Sequence, residues 1–79
     1  MNIIKCIPRL YKGETVLFFP EYNVNPGKIM SWVIIGQHGE ADIDFYYATK
    51  PCKNIKEETD IIRIYETHYE CKLDIKRNR

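Results

Sequence analysis

Long apolar runs are missing from this chain of 79 residues. A helical membrane span needs roughly 18 or more consecutive apolar residues, so none is expected. A charge excess is missing too, because 12 basic and 11 acidic side chains leave a formal net charge of +1. That balance argues against a dedicated polyanion binder and against an acidic nucleic-acid mimic, while leaving room for a local patch. Cysteine is scarce and odd in number: Cys6, Cys52 and Cys71 have no framework spacing and form no Cys-x-x-Cys. Met1 to Lys5 is too short for the apolar core of a secretory leader. The resulting expectation is a cytoplasmic protein with free thiols. Repeats, low-complexity tracts and linkers are also absent, which predicts a single domain over 1–79.

Hydrophobic residues make up 44% and aromatics 13% of the chain, with six tyrosines, so it has the material to fold. A domain this small buries only about 60% of its unfolded surface. Outside help from disulfides, a metal or oligomerisation is therefore worth looking for. Residues 3–11 read as a first strand, with Pro8 placing it at an edge or breaking it there, and residues 15–19 as a second. Asn25-Pro26-Gly27 predicts a type II turn, with glycine at the position that takes positive φ. Ile29 to Ile35 reads as a third strand. Residues 16–19 and 32–35 are apolar at consecutive positions, so both faces of these strands need cover, and a subunit interface is the expected second layer.

Residues 40–49 fit a strand by alternation and a helix by spacing, with acids in a first turn. A short helix is preferred, because Gly36 and Gly39 bracket a corner too long for a tight hairpin. Asn54 followed by Glu57 predicts a helix start. Glu58, Ile61, Ile62, Tyr65 and Tyr69 then recur at helical spacing. Tyr69, Cys71, Leu73 and Ile75 alternate with charged residues as a final strand near a sheet edge. The order β-β-β-α-α-β predicts an α+β fold, a small antiparallel sheet with helices packed on one face. The rival is an all-β small barrel, with 41–48 and 60–66 as strands.

Phe18-Phe19-Pro20, Asn25-Pro26-Gly27-Lys28-Ile29, Ile35-Gly36-Gln37-His38-Gly39-Glu40-Ala41, Phe45-Tyr46-Tyr47 and Lys50-Pro51 together carry a resemblance. The chain resembles a small uncharacterised family of gut-bacterial genomes and their phages or plasmids. That resemblance implies a mobile-element accessory protein, a setting of small inhibitors and ligand-sequestering proteins, and supplies no catalytic residues.

The chemistry-bearing stretch is Gly36-Gln37-His38-Gly39-Glu40. Between a strand and a helix it would present backbone N–H groups at a helix N-terminus, which binds anions. A plain turn with an exposed His38 is the bland alternative, and acids at 40, 42 and 44 would repel an anion. Trp32, Tyr46 and Tyr47 could cover a ligand ring, although Trp32, Phe18 and Phe19 also read as core. Tyr46 and Tyr47 cannot both face inward. Lys28 and Lys50 could supply positive charge. His38, His68, Cys6, Cys52 and Cys71 lack the spacing of a zinc site, and no nucleophile–base–orienter set can be assembled.

The expected function is thus non-enzymatic capture of a small anionic, nucleotide-like ligand at 36–40, with no cofactor and no metal. A homo-oligomer is the expected state, with no membrane partner. The alternative is a protein–protein interaction module that inhibits a host enzyme through exposed aromatics and the 20–28 loop. A third reading is weak nucleic-acid binding through Lys5, Arg9, Lys72, Lys76, Arg77 and Arg79 on neighbouring strands, set against a simple solvated face.

Overall fold

A computed structural model describes residues 2–34, 36–52 and 55–77. The elements run β1 (Asn2–Tyr11), β2 (Glu14–Phe19), β3 (Lys28–Val33), β4 (Gln37–Asp42), α1 (Ile43–Ala48), β5 (Lys50–Pro51), α2 (Ile55–Tyr69) and β6 (Cys71–Ile75). The fold is α+β. The strand order is β4-β3-β2-β1-β5, with antiparallel pairing throughout that path. β6 pairs with the first half of β1, and that pairing is parallel. No helix of the described residues is long and apolar enough to cross a membrane.

Local sequence explains the turns. Lys12 and Gly13 both take positive φ, +49° and +82°, which is the two-residue hairpin geometry that follows the twist of β1 and β2. At the next connection the Lys28 N–H donates to the Asn25 carbonyl at 3.1 Å, and Gly27 has φ +79°. This is the expected type II turn. The Asn54 helix start lies outside the described residues.

Three expectations about architecture need correction. Residues 37–42 are a strand, so the order is β-β-β-β-α-β-α-β, and the expected 40–49 helix shrinks to 43–48. Only Gly36 serves the β3–β4 turn, whereas Gly39 sits within β4. The sheet is not wholly antiparallel, because a helix of 15 residues between β5 and β6 carries the chain back along the sheet before β6 pairs.

The third correction concerns the layers. The helices do not share a face. Leu17, Phe19 and Trp32 pack with Ile61 and Tyr65 of α2, together with Cys6, Cys71 and Leu73. Val16, Phe18 and Ile29 pack with Tyr46 of α1 and with Ile7. Consecutive residues of a strand point to opposite faces, so the run Val16 to Phe19 fills two separate cores. The case for a homo-oligomer rested on an uncovered second face. α1 supplies that cover over β2 and β3, so this case lapses.

α1 is too short to hold itself together as a helix, and its anchors are tertiary. The Ile43 N–H donates to the Gly27 carbonyl at 3.0 Å. At the other end the Thr49 hydroxyl donates to the Tyr46 carbonyl at 2.5 Å. Arg9 of β1 donates to Thr49 Oγ1 at 3.0 Å and to the Thr49 carbonyl at 2.6 Å, with its guanidinium 5.4 Å from the centre of the Tyr46 ring. The chain end is fastened separately, by Arg77 donating to the buried Glu58 at 2.6 Å.

Candidate functional site

The residues nominated from sequence are scattered by the fold. Gly36 closes the β3–β4 turn with φ +91°, its N–H donating to the Val33 carbonyl at 2.8 Å. Gln37, His38, Gly39 and Glu40 pair with Val33, Trp32, Ser31 and Met30 as a strand. No helix begins at this corner, so the anion-binding geometry expected of 36–40 is absent there. Glu40 accepts the Asn25 N–H at 3.3 Å, which turns its carboxylate toward the 20–28 loop. Lys28 is occupied as well, since its ammonium bonds and ion-pairs with Asp42. That hydrogen bond raises the Lys28 pKa above its ordinary value.

His38 has a structural partner set that its sequence context does not announce. The Trp32–His38 register puts its ring on the α2 face. There His38 Nε2 lies 2.8 Å from the Tyr65 hydroxyl, which is itself 3.4 Å from the Tyr22 hydroxyl. The rings of Phe19, Tyr22, Tyr65 and Tyr69 lie along one side of the imidazole at centroid distances of 5.9, 6.1, 5.6 and 5.0 Å, while His38 stays exposed on the other. Trp32 completes the group by donating from Nε1 to the Tyr69 hydroxyl at 3.2 Å. Burial lowers the His38 pKa and, with the Tyr22 hydrogen bond, raises that of Tyr65. This is a clasp between β4, α2 and the 20–28 loop.

Trp32 is 2% and Tyr46 4% exposed, so neither can cover a ligand, and both belong to the cores. Tyr47 is 64% exposed, which gives the expected one-in, one-out pair. β1 and β6 are neighbours, as the third reading requires. Yet Lys5 meets Glu21 at 3.4 Å, Lys76 meets Asp74 at 3.5 Å and Arg77 meets Glu58, which leaves Arg9 and Lys72 as the members of that set without a carboxylate partner among the described residues.

Uncompensated positive charge collects elsewhere. Lys5, Lys28, Lys56, Lys76 and Arg77 each have a carboxylate partner. Among the described residues Arg9, Lys12, Lys50, Arg63 and Lys72 have none, and the first three come to one corner, with Leu10 opposite Lys50, Arg9 opposite Pro51, and Lys12 and Lys50 lining one concavity. A concavity of about 380 Å³ opens here, lined by Leu10, Tyr11, Lys12, Gly13, Ala48 and Lys50. The Lys12 ammonium sits 5.3 Å from the centre of the Tyr11 ring, and that ring stands edge-on to Phe45 at 4.7 Å. The lining offers two ammonium groups and an apolar floor, without a carboxylate, imidazole or thiol. Electrostatic attraction is the chemistry it can perform.

Lys50 was nominated from sequence, while Arg9, Tyr11 and Lys12 were not. Their only local signal is the Lys12-Gly13 turn, which is common to many hairpins. Among the described residues no three His, Cys, Asp or Glu side chains are grouped to hold a metal ion. Cys6, Cys52 and Cys71 are free thiols, and burial raises the pKa of each. Compared with family models, curated proteins and solved structures, the chain matches none.

Proposed function

We propose that this protein is a non-catalytic binding protein that captures a small anionic ligand at the corner between the β1–β2 turn and the α1–β5 junction. The observation that carries this reading is the pair Lys12 and Lys50, both without a carboxylate partner among the described residues and both lining one concavity. A concave site lined by like charge focuses the field and concentrates counter-ions. Its size falls within the range of small-molecule sites. Leu10, Tyr11 and Ala48 give a ligand with an apolar body something to rest on, which suits a nucleotide-like anion. Arg9, outside the lining but on the same strand, adds a third positive charge nearby and is held in place by Thr49. The mobile-element accessory role that the resemblance to an uncharacterised family of gut-bacterial genomes and their phages or plasmids implies fits sequestration of this kind.

The test is NMR titration of the full chain with inorganic phosphate and with adenosine monophosphate. Saturable shifts confined to residues 9–13 and 48–51, lost in the Lys12→Ala/Lys50→Ala chain, are the expected result. Shifts centred on 36–40 would return the site to the β3–β4 corner, and no saturable shift at either place would end the anion reading.

A further inference from the structure

Gly39 is the odd glycine of this fold. Gly13, Gly27 and Gly36 all have positive φ and serve turns, whereas Gly39 does not. A side-chain carbon built at Gly39 would meet nothing within 4 Å, so internal packing does not demand glycine there either. Glycine inside a strand weakens it, and a recurrent reason for one is close approach by another backbone. β4 ends the sheet order, and no strand pairs with its outer side among the described residues. Five of its six residues are exposed, which leaves the approach open.

The two faces of this edge differ in character. His38, Glu40 and Asp42 project to the α2 side, alternating with Gln37, Gly39 and Ala41 on the α1 side. The charged side is acidic on balance, because the two carboxylates Glu40 and Asp42 share the single cation Lys28. The other side is uncharged and low: Ser31 next to Gly39 turns its hydroxyl onto the Gly39 carbonyl at 2.9 Å. Antiparallel pairing of β4 with β4 of a second copy centred on Glu40 would set acid against acid, which is destabilising across a strand pair.

We infer that the outer edge of β4 accepts an extended segment of another protein as an added strand, with basic side chains toward Glu40 alternating with a bulky apolar side chain over Gly39. Backbone hydrogen bonds along the edge give affinity, and the alternate side chains give selectivity. This surface is separate from the Lys12–Lys50 corner, so either reading can fail without the other.

The probe is a heptapeptide alternating lysine with valine and leucine, and its counterpart with glutamate for lysine. Amide hydrogen exchange of the full chain is followed by NMR. The lysine peptide is expected to slow exchange about tenfold or more at alternate residues of 37–42, less so at high salt, and the glutamate peptide to leave them unchanged. Gly39→Val has room for its side chain, so it should fold normally and lose most of the protection. Equal protection by both peptides, undiminished binding to the folded Gly39→Val chain, or no protection in 37–42 would each overturn the inference. Protection that instead rises with protein concentration alone would assign the edge to a second copy and overturn it as well.

Discussion

Two corners of this molecule carry lysine or histidine beside glycine, and they behave in opposite ways. At the β3–β4 corner nearly every polar group is engaged. His38 is held by Tyr65 and three further rings and Lys28 by Asp42, while Glu40 accepts one long bond from the Asn25 N–H and stays exposed. At the corner of the β1–β2 turn, Lys12 and Lys50 line open space, with no acid partner among the described residues. A satisfied group has little left to offer a ligand, while an unsatisfied charge in a concavity has much. The more conspicuous sequence therefore marks the structural clasp, and the plainer one marks the concavity proposed above as the binding corner.

The sharpest way to break this comparison is to remove the clasp. Tyr65 is 1% exposed and touches Phe19, Trp32, His38 and Tyr69, so Tyr65→Ala should cost about 3–5 kcal/mol in urea unfolding. An effect below about 1 kcal/mol would mean that the clasp is not holding the α2 face together. Next in size is the charge test. Lys12→Ala/Lys50→Ala should weaken phosphate or adenosine monophosphate binding about tenfold or more, equivalent to roughly 1.4 kcal/mol, while stability stays within about 0.5 kcal/mol. Unchanged affinity by calorimetry would remove the distinction between the corners.

A smaller effect is expected from pH. Burial depresses the His38 pKa in the folded state, so the unfolded chain takes up this proton first as pH falls. The His38 contribution to stability is thus fully present above about pH 6.5, the unfolded value, and is lost progressively below it. His38→Gln should flatten that part of the stability–pH curve, and a slope identical to the parent's would show that another group is responsible. Smallest of all, Gly39→Val should raise stability by about 0.5 kcal/mol, since it removes a flexible residue from a strand and has space for its side chain. A loss measured by thermal unfolding would mean that the β4 backbone needs glycine after all.

Much of the fold was legible because its signals are local. The strands at 2–11 and 14–19, the type II turn at 25–28 and the helix at 55–69 follow from side-chain periodicity and from proline and glycine chemistry. The misreading of 37–42 has a physical cause. Gly36 and Gly39 look alike in sequence, yet only Gly36 has a backbone that requires glycine. Residues 41–48 satisfy strand and helix periodicity alike, and both are used, with the change of element falling at Asp42–Ile43. The basic corner left little local trace beyond Lys50 and the Lys12-Gly13 turn, because Arg9 and Thr49 are 40 positions apart and meet only in the folded chain.

The sequence by itself determined which residues are too apolar to stay in water. It made Phe18, Phe19 and Trp32 core, left one of Tyr46 and Tyr47 outside, and required cover on both faces of β2. The tertiary structure alone decided what provides that cover: α1 on one side and α2 on the other. It also decided that β6 runs parallel to β1, that His38 meets Tyr65, and that Lys50 comes to lie beside Lys12. Burial preference belongs to each side chain and can be read one residue at a time. Which distant segments meet depends on strand pairing and on the complementary shapes of two cores, and those exist only when the whole chain has folded.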